Sequence, residues 1–353
     1  MTASPSPESV DQGLFTTPVV IIAFNRTGVT RRTVEAVRRV RPTQVFLVAD
    51  GPRATHPEDE AMCAQVRELL TEGPWPGQVH TKFAERNLGL EANIELGLDW
   101  VFGQVDRAIV LEDDCVPEPT FFTYCSELLD RYADEPRVWQ IAGDNKSVPR
   151  RLFHGAGYDF STWASVWGWA TWADRWHAHR EIFPRDHADA EERVGMSPRT
   201  ADAERPYLVL PDPRAMATEA ALKHFTQVAG ERNGDLRGWD HHWWVTIMSR
   251  CGLSATPAYN LIENDGYGEG ATHTRAAKDP IPSEPLPLPI VHPARVELNR
   301  EVEAELELDL LRTDGRLSRL ARRLIRPLWM RALVRRVITF PPVWWLVRRV
   351  VAR

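Results

Sequence analysis

The sequence predicts an α/β fold built on a mostly parallel sheet flanked by helices. Three observations carry that reading. Short apolar runs alternate with stretches of helical periodicity, the connections between them are brief, and one such run, Ala108 to Leu111, ends in the consecutive acids Glu112-Asp113-Asp114. Strand–helix alternation with short links gives parallel neighbours joined by right-handed crossovers. Apolar strand residues favour burial, whereas three adjacent carboxylates repel one another and want water or a cation. A buried central strand whose C-terminal end delivers the acids to a cleft meets both demands, and ligands of open α/β sheets bind at that edge. The alternative is an acidic turn after a strand.

Taken in order, Met1 to Gly13 is polar, with prolines and serines, so residues 1–15 read as a disordered lead and not a signal peptide. Pro18 to Phe24 is a buried strand, followed by Asn25-Arg26-Thr27-Gly28 and a helix from about Val29 to Val40. Val45 to Ala49 is a second strand ending at Asp50-Gly51-Pro52, and Glu58 to Leu70 a second helix. Val79 to Phe83 alternates like a third strand, and Asn87-Leu88-Gly89-Leu90 opens a helix reaching Phe102. After the acidic strand come a helix near Pro119 to Tyr132 and a strand, Val138 to Ala142. Regular alternation then stops. Phe160 to Trp163 and Trp167 to Trp172 read as an aromatic, glycine-punctuated loop, and His187 to Pro213 as a polar excursion. Gly238 to Trp244 opens a helix to about Arg250, short strands follow at Leu253 to Thr256 and Tyr259 to Ile262, and residues 276–295 read as a proline-rich linker.

The 353 residues suffice for one large or two modest domains. A net charge of −6 argues against a general nucleic-acid binder, and it conceals a basic C-terminus on a more acidic body. Four scattered cysteines without a C-x-x-C pair read as reduced thiols of a cytosolic protein. No stretch is long and apolar enough to span a bilayer unaided. The turn after the first strand lacks the G-x-G-x-x-G of a dinucleotide fold, and there is no Walker-type G-K-[ST]. Asp50, at a strand end, suits the ribose or base of a mononucleotide; the alternative is a turn-forming acid before Gly51-Pro52.

Several short motifs together resemble the GT-A glycosyltransferases, in particular a bacterial group distantly similar to N-acetylglucosaminyltransferase I. They are Ala23-Phe24-Asn25-Arg26, Asp50-Gly51, Arg86-Asn87-Leu88-Gly89, Leu111-Glu112-Asp113-Asp114, Trp167 to Trp172, Trp239-Asp240, and Asn260-Leu261-Ile262 through Ala271-Thr272-His273-Thr274. The resemblance implies a GT-A domain over residues 16–275, with a donor half (16–145) and an acceptor half (146–275). It also implies an enzyme that moves a sugar from a nucleoside-diphosphate donor, a UDP-sugar first, to a hydroxyl of a saccharide or lipid-linked acceptor. By position it makes Asp114 and His273 ligands of Mn²⁺ or Mg²⁺, and Asp240 the catalytic base. Phe24, Asn25, Arg26, Asp50, Arg86, Asn87, Glu112, Asp113, Gly168 and Trp169 then hold the nucleotide sugar. Such chemistry suits these residue types. A divalent ion offsets the charge of the departing diphosphate, and a carboxylate must take the proton of the attacking hydroxyl. Asp240 also suits a helix N-cap, His273 a loop histidine, and the tryptophans a core. Two rivals remain: a sugar-nucleotide nucleotidyltransferase, and a non-catalytic sugar-binding protein of the same fold.

Residues 296–353 read as a helical, basic tail. Arg316 to Arg353 holds eleven arginines and no acid, with Leu317, Leu320, Leu324 and Leu328 at helical spacing. Basic faces, apolar stripes and tryptophans together suit an anionic membrane surface, hence a peripheral location on the inner face of the cell membrane. The alternative is a helical cap packed on the enzyme.

Overall fold

The computed structural model describes residues 14–183, 238–266 and 281–310. The chain divides into two compact units, residues 1–304 and 305–353. The first unit carries β1 (Val19–Ala23), α1 (Thr27–Arg39), β2 (Gln44–Ala49), α2 (Glu58–Thr71), β3 (Gln78–Phe83), α3 (Leu90–Phe102) and β4 (Arg107–Glu112). It continues through β5 (Cys115–Pro117), α4 (Pro119–Arg131), β6 (Val138–Ala142), β7 (Tyr158–Ser161), β8 (Trp169–Trp172) and α5 (Ala173–Ile182). Beyond these lie α6 (Trp239–Ser249), β9 (Leu253–Pro257), β10 (Ile262–Asn264) and the start of α7 (Arg300–Leu310), which runs into the second unit. No described helix is long and apolar enough to cross a membrane.

Eight strands make one sheet in the order β3-β2-β1-β4-β8-β6-β9-β7. β1 runs parallel to β2 and β4, β2 to β3, and β6 to β9, while β8 lies antiparallel between β4 and β6 and β7 antiparallel to β9. Thus β1, β2, β3, β4, β6 and β9 point one way, and the turns that follow them gather on one edge. The period-two alternation of side chains splits the core into two layers. Val19, Ile21, Val45, Leu47, Ile109 and Leu111 pack with Val34, Val37, Val66, Leu70, Phe121 and Leu128 of α1, α2 and α4. Val20, Ile22, Phe46, Val48, Ala108 and Val110 pack with Ile94, Leu98, Trp176, Trp239 and Trp243 of α3, α5 and α6. Each aliphatic side chain so buried is worth about 1.5–3 kcal/mol.

Four expectations change. The aromatic loop contains the strands β7 and β8. Trp169, Ala170, Thr171 and Trp172 are all buried within the sheet, so β8 shows no polar alternation to mark it, and Gly168 before it reads as a loop residue. The strand expected at Tyr259 to Ile262 lies instead at Ile262–Asn264, paired with β5. The expected linker is, over residues 281–295, a packed strap. Leu286 and Ile290 are buried in the first core layer, Leu286 N donates to Thr120 Oγ1 at 2.8 Å, and Val291 O accepts from Gly157 N at 2.7 Å. Prolines remove donors, yet the carbonyls and aliphatic faces between them still bind. The lead expected over 1–15 ends earlier, since Phe15 is ordered, its N donating to Arg41 O at 3.0 Å and its O accepting from Thr43 N at 2.8 Å. Residues 1–13, the excursion at 187–213, His273 and Arg316 to Arg353 lie outside the described residues.

Candidate active site

The strand ends converge on Glu112-Asp113-Asp114. Thr33 of α1 fixes this turn, its hydroxyl donating to the carbonyls of Asp113 and Cys115 at 2.9 and 3.1 Å. The two-stranded ribbon of β5 and β10, with Asn264 opposite Cys115, draws residues 262–266 across the acids. Asp265 N donates to Asp114 O at 2.9 Å, and Asn264 Nδ2 lies 3.5 Å from Asp114 Oδ1. A Cβ on Gly266 would sit 2.3 Å from Asp114 Oδ2, so a side chain there would push that carboxylate aside. From the turn after β1, Arg26 donates through one nitrogen to Asp113 Oδ1 and, at 2.9 Å, to Asp114 Oδ2.

Charge at this edge is unbalanced. Burial, and then the charges of Asp114, Asp113 and Asp240, push Glu112 well above the ordinary carboxylate range. Burial raises Asp113 to about 6, against the pull of Arg26 and with the push of Asp114. Arg26 is held charged: burial pulls its pKa down, and Asp113 and Asp114 more than reverse that. The second oxygen of Asp113, Oδ2, is buried with no hydrogen-bond partner. One guanidinium against three acids and an orphaned carboxylate oxygen leave room for a hard divalent cation, so the residues fit Mn²⁺ or Mg²⁺.

The remaining expected donor residues line the same edge in different roles. Asn25 is buried and donates to Asp59 Oδ1 at 2.8 Å. Asp59 in turn receives Arg53 Nε at 2.5 Å, and the Arg53 guanidinium lies 5.3 Å over the Phe24 ring. The Arg53 hydrogen bonds hold Asp59 below the usual carboxylate range despite burial. Asp50 is a hub. Gly51 N, Leu88 N, Gly89 N and Asn87 Nδ2 all donate to its carboxylate, at 2.8, 2.8, 3.1 and 2.9 Å. Burial raises its pKa while those backbone donors oppose the rise. Asp50 and Asn87 therefore shape the turn that presents exposed Arg86, and Gly51 must be glycine because a Cβ would meet Arg86 backbone at 2.3 Å.

Asp240 lies in the first turn of α6. Gly238, with φ +103, holds the cap position without a side-chain cap bond, so Asp240 is not the N-cap. Its carboxylate is half exposed and 3.2 Å from His241 Nδ1. Partial burial raises its pKa, but the hydrogen bond and charge of His241 outweigh this and lower it. Its charge is among those that raise Glu112. Glu263 and Asp265, acids of the segment drawn across the triplet, pair with Arg32.

Gly168 takes φ +61, and a Cβ there would lie 2.4 Å from Ile262 Cδ1, so the loop before β8 packs directly under β10. Trp169, expected on the donor sugar, is fully buried, its ring 5.7 Å from Trp239 and 5.3 Å from Trp243. It is a core residue, because the antiparallel pairing of β8 turns it into the second layer. Sequence reasoning missed Asn264 and Gly266, whose role arises only from the pairing of β10 with β5. It also missed Glu91, Glu95 and His242, although Glu91, Glu95 and Asp99 stand four residues apart on α3.

Comparison with known proteins follows the same edge. Residues 19–165 match the family described as glycosyl transferase family 2. That stretch spans β1 to the residues just before β8, and the match supports a nucleotide-sugar transferase domain there. No curated protein matches the chain. Among solved structures, a cytidylyltransferase from Leptospira borgpetersenii aligns at 9% identity with a TM-score of 0.31, covering 53% of this chain and 70% of its own. The UTP-bound UGPase of Acinetobacter baumannii aligns at 12% and 0.29, covering 50% and 81%. Mouse xyloside xylosyltransferase 1 aligns at 10% and 0.31, covering 66% and 81%.

Proposed function

We propose that a chain with this domain is a metal-dependent, inverting glycosyltransferase. It moves a hexosyl or N-acetylhexosaminyl group from a nucleoside-diphosphate sugar, a UDP-sugar first, to a hydroxyl of a saccharide or lipid-linked acceptor. The observation that carries the reading is the acid triplet at the sheet's C-terminal edge, orphaned Asp113 Oδ2 included; Asp240, on a separate helix, adds its charge to Glu112. Asp114, with Asp113 and with His273 from outside the described residues, would hold Mn²⁺ or Mg²⁺. When bound, the ion neutralises the charge that develops on the departing diphosphate.

The protein's own groups do the rest. Arg86 and Arg26 offer guanidinium groups to the phosphates, and the Asp50-anchored turn fixes Arg86. Phe24 and Asn25 border the nucleotide. Asp240, ionised and half exposed, accepts the proton of the acceptor hydroxyl. The hydroxyl oxygen bonds to the anomeric carbon as the bond to the diphosphate breaks on the opposite face, which inverts that carbon. Lowering of the Asp240 pKa by His241 keeps the base ionised at neutral pH.

The basic tail is proposed to rest on the inner, anionic membrane face, each arginine near it adding about 1 kcal/mol. Full-length protein should then sediment with anionic vesicles at low salt; a protein that ignores them contradicts this part alone. The test of the enzymatic reading is a panel of nucleotide sugars with Mn²⁺, followed for hydrolysis and transfer. Turnover of a UDP-sugar that is lost in Asp114→Ala is expected. Pyrophosphate release from a nucleoside triphosphate and a sugar 1-phosphate, with nucleotide sugars untouched, would overturn it in favour of a nucleotidyltransferase.

A further inference from the structure

A second cluster of ligating groups lies on the other face of the sheet, between α3 and α6. Glu91 and Glu95 stand one turn apart on α3 and share a face with Asp99. Facing them, His242 Nδ1 is 3.3 Å from Glu91 Oε1 and 3.4 Å from Glu95 Oε1, and the three ligand atoms lie within 4.8 Å of one another. The side chains of Glu95 and His242 are only 1% and 9% exposed, while Glu91 at 31% opens the cluster to solvent. The Phe183 ring stacks on the imidazole at 4.5 Å.

Two features separate this set from an ordinary ion-pair network. A single Nδ1–H can point at one carboxylate, yet Nδ1 is almost equidistant from two, at separations longer than the 2.7–2.9 Å usual for charge-assisted hydrogen bonds. Metal bonds of about 2.0–2.1 Å, by contrast, define a tetrahedron with edges of about 3.3–3.4 Å. Carboxylates are also concentrated here: Glu91, Glu95 and Asp99 share one helix face, with Arg180 3.4 Å from Glu95 and 2.9 Å from Asp99.

We infer that Glu91, Glu95 and His242 form a second metal site, for a divalent transition ion with Zn²⁺ the first choice for such a nitrogen and oxygen set. It is separate from the acid triplet and does not depend on the transferase reading. Its effect is mechanical: it pins the helix that carries Asp240, two residues before His242, to the helix that follows the Asp50-anchored turn.

The test uses metal-stripped full-length protein titrated with Zn²⁺ by calorimetry, and with Co²⁺ by its visible absorption, which is intense only in a tetrahedral site. The parent, Asp114→Asn and His273→Gln should each show one equivalent of the tetrahedral signature, whatever the acid triplet also takes up. Glu91→Gln and His242→Gln should lose the signature and bind Zn²⁺ about tenfold or more weakly. Should His242→Gln fail to fold, Glu91→Gln decides, being half exposed. Unchanged binding in Glu91→Gln, loss of the signature in Asp114→Asn or His273→Gln, or a parent that binds no Zn²⁺ and so holds only an imidazolium bridge, would overturn the site. Activity is not read, so a failed transferase assay leaves this result standing.

Discussion

Replacing Asp113 with Asn should reveal how far the acid triplet strains the fold without its cation. Asp113 is buried, one oxygen taken by Arg26 and the other without a partner, and its pKa rises from 3.8 to about 6. The folded state therefore holds the proton more tightly than the unfolded chain, and stability falls as pH climbs from about 4 through 6, then levels off. The effect is on the order of a few kcal/mol in all, and the part that falls between pH 5 and 7.5 is on the order of 1 kcal/mol. In Asp113→Asn the term is absent, while Arg26 keeps its contact with Asp114 at 2.9 Å. Urea unfolding of both proteins at pH 5 and 7.5 in chelator reads the difference, which includes the relief of Glu112 once the Asp113 charge is gone. The parent should lose on the order of 1 kcal/mol more than the variant between the two pH values, and saturating Mn²⁺ should restore the parent at pH 7.5. Parallel pH dependences, or Mn²⁺ that stabilises both proteins alike, would refute the reasoning.

Asp240→Asn should lower transfer by about 10² or more, the range of a lost general base, with donor binding by calorimetry unchanged. Gly168→Ala should cost about 2 kcal/mol or more, read as a lower urea midpoint, because Gly168 has φ +61 and the added Cβ would meet Ile262 at 2.4 Å. Asp59 has a depressed pKa in the folded state, so its contribution is present above about 4 and vanishes as pH falls below that. Asp59→Asn should accordingly destabilise at pH 7 by about 1–2 kcal/mol, reduced by the exposure of Arg53, and flatten the acid limb of a stability profile.

Much of this was legible in the residues, and the exceptions share a cause. The strands of the donor half are apolar runs ending in polar turns, and their pairing gathers Arg26, Asp50, Arg86 and Asp114 on one edge as the alternation implies. The later strands were hidden because both faces of β8 are buried and its tryptophans mimic a binding loop. Of the two roles open to Asp50, a contact to the nucleotide and a turn-forming acid, its surroundings support the second, because four donors of its own chain fill the carboxylate. No local pattern announces that, since the donors lie 37 to 39 residues away apart from Gly51. The strap at 281–299 shows the same limit. Proline content marks an absence of regular structure, and packing against Thr120, Gly157 and Phe160 is a tertiary fact.

The central claim is that Asp114 at the sheet edge holds the ion that binds a nucleoside diphosphate. Calorimetric titration of UDP into the metal-free protein, with and without Mn²⁺, for the parent and for Asp114→Asn, tests it most directly. The account predicts that Mn²⁺ tightens UDP binding to the parent by tenfold or more, about 1.4 kcal/mol, and leaves the folded variant unaffected. Equal Mn²⁺ enhancement in both proteins, or UDP binding indifferent to Mn²⁺ in the parent, would contradict it.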